Sequence, residues 1–137
     1  MQAKVKWNGK MGFVGTSGTN HAVVMDVSKE AGGDGVAASP MEMVLLGLAG
    51  CSGVDVALIL QKKRLNVRDF QILVNGERAD EHPRVFTKVH MAFVFEGEGL
   101  SPKALEDAVR LSIDKYCSVA GMVSKTAEIT WNIEVKE

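Results

Sequence analysis

Cys51 and Cys117 are the only two thiols in this chain of 137 residues. Each sits at a marked place. Cys51 ends the stretch Ser39-Pro40-Met41-Glu42 through Gly47-Leu48-Ala49-Gly50-Cys51, and Cys117 falls just past a second apolar helix. A free cysteine is among the most buried residue types and packs as a small hydrophobe, so either one alone reads equally well as core. Together they make a two-thiol site the first chemical hypothesis. A reactive thiol needs its pKa lowered by a helix N-terminus, a nearby cation or a metal. Cys51 lies about three turns into its helix, where the dipole gives little, and Asp55 one turn later opposes ionisation. A cation would have to come from Lys4, Lys6, Lys10 or His21, each equally an ordinary surface residue. No Cys-x-x-Cys occurs, and His21, His82 and His90 are too scattered for metal-ligand spacing.

The length suits one domain over 1–137 with one core, and 46% hydrophobic residues exclude disorder. A net charge of −1 points to neither nucleic acid nor membrane. No apolar run reaches about 18 uninterrupted residues, and the polar start is no signal peptide. We expect a cytoplasmic protein whose cysteines are free or catalytic, without a metal or cofactor.

Alternation predicts a strand over 4–7, with Asn8-Gly9 as a hairpin turn and a return strand over 11–15. A third strand follows over 22–26, then a glycine-containing loop over 27–38. A long helix is expected over 39–63. Ser39 is its N-cap, Pro40 suits its first position, and Glu42 completes a capping box. At 100° per residue, Val44, Gly47, Leu48, Val54, Asp55 and Leu58 share the Cys51 face, whereas Glu42 points to the opposite side. Gly47 and Gly50 each cost about 1 kcal/mol of helix propensity, which implies a close approach by another backbone or a substrate.

Strands are expected over 68–78, with Phe70, Ile72 and Val74 on one face, and over 85–96. The latter places Val85, Val89, Met91, Phe93 and Phe95 on one face, with Lys88 and His90 opposite. Ser101-Pro102 opens a second helix, reaching about residue 116, with Leu105, Val109, Leu111 and Ile113 apolar. Residues 117–121 break it and can start a short helix. A last strand over 128–135 turns Ile129, Trp131, Ile133 and Val135 inward. The order βββ-α-ββ-α-β is an α+β domain.

With both cysteine motifs in place, Ser39-Pro40-Met41-Glu42, Gly47-Leu48-Ala49-Gly50-Cys51 and Asp114-Lys115-Tyr116-Cys117-Ser118-Val119, the chain resembles the OsmC/Ohr family of osmotically inducible and organic hydroperoxide resistance proteins. The resemblance implies an intertwined homodimer, with two sheets around two long central helices and sites at the dimer interface. It implies Cys51 as the thiolate that attacks a hydroperoxide and Cys117 as the resolving thiol, with a dithiol as reductant. It also implies an activating arginine near the N-terminus and a glutamate directly after the helix-starting proline. Here no arginine precedes Arg64, Met41 follows Pro40, and Glu42 comes one place later. Slow peroxide turnover is therefore one expectation. The other is a small-ligand or sulfur-handling binding protein on the same fold, without peroxidase activity.

Overall fold

The computed structural model describes residues 1–137. Internal contacts divide them into two compact units, residues 1–44 and residues 45–137, with one long helix running from the first into the second.

The first unit holds an antiparallel sheet of β1 (Ala3–Trp7), β2 (Phe13–Ser17) and β3 (Ala22–Met25), in that order. The hairpin turn lies where Asn8-Gly9 predicts it but is longer than two residues. Trp7 pairs with Phe13, so the return strand starts at Phe13, not at residue 11. Gly9 and Lys10 both take positive φ, 81° and 43°, which a two-residue loop at 8–9 would not need of Lys10. The loop after β3 is pinned by one side chain. Buried Asp26 accepts the backbone N–H groups of Val27, Asp34 and Val36 at 2.8, 3.2 and 3.3 Å. These bonds, the Val27 bond foremost, hold its carboxyl below the ordinary carboxylate value.

Helix α1 (Pro40–Lys62) begins as the capping box requires. Glu42 N–H donates to Ser39 Oγ at 3.1 Å, and Ser39 N–H donates to the Glu42 carboxylate at 2.9 Å. The backbone bond from Ser39, followed by the Ser39 side chain, lowers the Glu42 pKa. The acid is thus occupied as a cap.

In the second unit, β4 (Asp69–Arg78), β5 (Phe86–Glu96) and β6 (Glu128–Lys136) form a sheet in that order. β4 and β5 are antiparallel, while β6 runs parallel to β5 because α2 (Pro102–Leu111) and α3 (Ser118–Val123) form the crossover between them. Strict alternation fails at the start of β5. A bulge lets Glu77 pair with Lys88 and Arg78 with Phe86, so Phe86 turns inward with Val89, and Val85 stays only half-buried. From Val89 onward the expected inward residues are buried: Met91, Phe93 and Phe95 are fully inaccessible. Leu48, Val56 and Leu60 of α1 and Leu105, Ala108 and Val109 of α2 are buried in the same unit.

The second helix does not run unbroken to residue 116. After Leu111 it widens into a π turn, Ser112–Tyr116, and Leu111 is exposed. The break at Cys117 and the short helix after it stand where the sequence puts them.

Gly76 faces the Phe86 ring. A Cβ there would meet Phe86 Cε1 at 2.7 Å and Leu45 Cδ2 at 3.3 Å. Gly76→Ala should therefore destabilise the fold by about 1–3 kcal/mol in urea unfolding, the usual range for overpacking. An unchanged midpoint would contradict this packing.

Candidate functional site

Cys51 lies on α1 and is half-buried, whereas Cys117 is only 4% exposed. Both are free thiols. The fold brings them together across 66 residues of sequence: the Cys51 side chain is close enough to raise the Cys117 pKa by hydrogen bonding and by its charge.

Cys117 sits at the joint between the π turn and α3. Its N–H donates to Ser112 O at 2.7 Å, closing a five-residue ring. As N-cap of α3, its sulfur accepts Ala120 N–H at 3.3 Å. The thiol in turn points at Leu48 O on α1, 4.0 Å away. Burial, first of all, pushes the Cys117 thiol from an ordinary 9.0 up to about 11, and Cys51 adds to the rise. The Ala120 and Val119 N–H groups act in the opposite sense and do not prevail.

The two sulfurs are thus unequal. Cys117 keeps its proton at neutral pH. Cys51 borders an open surface, because a Cβ on Gly47 or Gly50 would touch nothing within 4 Å. Those glycines are not in close contact within this chain. The face assigned to Cys51 from the helical wheel also needs one correction. Leu48 is fully buried and belongs to a second stripe, Leu48, Ser52, Val56 and Leu60, spaced by four. Val54 and Leu58 stay more than half exposed. Cys51 lies on the border between the stripes.

Two serines missed at the level of motifs complete the site. Ser52 and Ser112 are fully inaccessible, and their hydroxyls lie 2.9 Å apart. Ser112 Oγ also lies 3.0 Å from Asp55 Oδ2. A carboxylate only accepts, so Ser112 donates to Asp55 and Ser52 donates to Ser112. Asp55 is therefore engaged by a hydroxyl. The signal was present in the sequence: Ser52 interrupts the four-residue apolar spacing of α1, and Ser112 falls three residues after Val109 on the apolar stripe of its own helix.

Of the cation candidates, Lys10 is engaged with Asp34 at 2.6 Å, and Lys4, Lys6 and His21 are exposed. His90 is held between Thr130 Oγ1 at 2.8 Å and Asn132 Oδ1 at 2.7 Å, a cross-strand structural role. His82 is exposed.

The family model described as OsmC-like protein matches residues 32–132. The chain belongs to the OsmC-like family. Protein YhfA of Escherichia coli K12 is 45% identical over 135 residues, covering 98% of both chains. A hypothetical protein from Aquifex aeolicus VF5 is 33% identical with a TM-score of 0.82, covering 99% of this chain and 97% of that one. An organic hydroperoxide resistance protein OsmC from Legionella pneumophila, also described as a predicted redox protein, shares the fold. Its TM-score is 0.75 at 15% identity, with 98% and 96% of the chains covered. Over one 18-residue window α1 has a mean hydropathy of 2.1, long and apolar enough by itself to cross a membrane. Core helices pass the same test, and one side of α1 is bonded to the π turn through Ser52 and Asp55.

The pKa of Cys117 yields a direct expectation. With a value of about 11, about one molecule in ten thousand carries the Cys117 thiolate at pH 7. Alkylation of Cys117 by iodoacetamide, followed by peptide mass spectrometry, should rise about tenfold per pH unit up to that value. In Cys51→Ser the curve should move to lower pH, because the Cys51 contribution is gone. A plateau already at pH 8 would contradict the burial argument.

Proposed function

We propose that this is a thiol-dependent redox protein that reduces organic hydroperoxides, with Cys51 as the attacking thiol and Cys117 as the resolving one. The observation that carries the reading is the pairing of a half-buried thiol on an open surface with a buried, protonated thiol beside it. The Cys51 thiolate attacks the outer peroxide oxygen. The O–O bond breaks, the alkoxide leaves and takes up a proton, and Cys51 becomes a sulfenic acid. Cys117 sulfur then attacks Cys51 sulfur. The S–S bond forms, the S–O bond breaks, and hydroxide leaves with the Cys117 proton as water. A small dithiol reduces the disulfide by exchange and is itself oxidised. Free thiols at rest suit a reducing cytoplasm.

Turnover is expected to be slow. No arginine precedes Arg64, and Glu42 serves as a helix cap. The same facts favour a second reading, a binding or sulfur-handling protein that uses the thiols without consuming peroxide. Treatment with stoichiometric cumene hydroperoxide separates the two. The peroxidase reading predicts loss of peroxide and one Cys51–Cys117 disulfide within each chain by mass spectrometry. Two free thiols in folded protein with peroxide unconsumed would leave the second reading.

We also infer an obligate homodimer. No strand residue from β1 to β3 is buried, and Val5, Trp7, Phe13, Val23 and Val24 are exposed. A three-stranded sheet without a covered apolar face is not stable alone in water. On α1, Val44, Leu46, Val54 and Leu58 are exposed as well. A second copy would cover these surfaces, with an interface above ~2,000 Å² as in obligate pairs. Light scattering at low micromolar concentration should give twice the 14.8 kDa chain mass. A Cβ at Gly50 meets nothing within 4 Å in this chain, so a loss of assembly in a folded Gly50→Leu variant would report on the partner. A monomer of wild type would overturn the inference.

A further inference from the structure

Ser112 is bonded to the segments that carry both cysteines, and neither thiol's own chemistry requires it. Its carbonyl accepts Cys117 N–H at 2.7 Å, which sets the five-residue spacing of the π turn. Its hydroxyl donates to Asp55 at 3.0 Å and accepts from Ser52 at 2.9 Å. Ser52 directly follows Cys51, and Asp55 lies one turn beyond it. In an unbroken α-helix the Cys117 N–H would instead seek the carbonyl of Ile113, and the sulfur would swing by about 100° around the axis. A π turn is rare and occurs mostly as a single-turn bulge within a helix, frequently at a functional site. The Ser112 hydroxyl ties this turn to α1 through Ser52 and Asp55.

We propose that Ser112 is a positioning residue for the thiol pair: by tying the first residue of the π turn to Ser52 and Asp55, it aims Cys117 at Cys51 and sets how readily the two join. This rests on the reading of Cys51 and Cys117 as a redox pair. It does not depend on peroxide, because glutathione disulfide can oxidise the pair. Two thiols and one glutathione disulfide give one protein disulfide and two glutathione thiols, with glutathione joined to Cys51 as the intermediate.

The test is the equilibrium of full-length protein with glutathione buffers of set ratio, quenched with acid and read by peptide mass spectrometry. In Ser112→Ala the equilibrium constant for the Cys51–Cys117 disulfide should fall at least tenfold, with the mixed disulfide at Cys51 accumulating. Val109→Ala truncates a fully buried side chain of α2 and is the control for general loosening. It should stay within threefold of wild type. If Ser112→Ala does not fold, Asp55→Asn carries the test and should lower the constant at least threefold. A wild-type disulfide with an unchanged constant in Ser112→Ala, or in Asp55→Asn where that variant carries the test, would overturn the positioning role and leave the pair intact. An equal fall in Val109→Ala would overturn it too. No disulfide in wild type at any ratio would overturn the pair and the positioning role together.

Discussion

Three oxygen atoms tie α1 to the π turn that precedes Cys117. Ser52, Ser112 and Asp55 make a directed chain of hydrogen bonds between α1 and the π turn, with two of the three residues fully inaccessible. A buried hydroxyl left without a partner costs about 1–3 kcal/mol, so the two helical segments are held in one register by more than apolar contact. Apolar side chains can slide and repack. A hydroxyl between a hydroxyl and a carboxylate cannot shift by one residue without losing its partners. The position of Cys117 against Leu48 O and Cys51 follows from that register.

The same helix has to serve two masters. Its stripe Leu48, Ser52, Val56, Leu60 packs against its own chain, while Val54 and Leu58 remain outside. That leaves α1 apolar on nearly all sides, the composition of a helix buried all round. The open space over Gly47 and Gly50 gives Cys51 its access. The proposed substrate access and the proposed contact with a second copy fall on this one helix.

Much of this was legible in the sequence. Ser39, Pro40 and Glu42 announce the start of α1 because capping is local chemistry, and both bonds of the box form. The order of elements was readable for the same reason, since hydrophobic period and helix signals are local. What failed was non-local or a matter of one residue. Phe86 faces inward because a bulge inserts one residue against β4, and alternation cannot reveal an insertion in advance. The π turn is likewise a one-residue insertion, invisible to a 3.6-residue period. Parallel pairing of β6 depends on where the crossover lands. Ser52 and Ser112 carry no motif, and each becomes meaningful only when the fold sets it against the other. The loop after β3 reads as a polar stretch because nothing local says that Asp26 will collect three of its N–H groups.

The central claim is a division of labour between the two sulfurs, and trapping the intermediate tests it most directly. Cys117→Ser removes the resolving thiol, so a sulfenic acid formed on Cys51 has no partner in the chain. With one equivalent of cumene hydroperoxide and dimedone, peptide mass spectrometry should find the dimedone adduct on Cys51 in that variant. It should find none in Cys51→Ser. An adduct on Cys117 in the Cys51→Ser protein, or no adduct in either, would contradict the account.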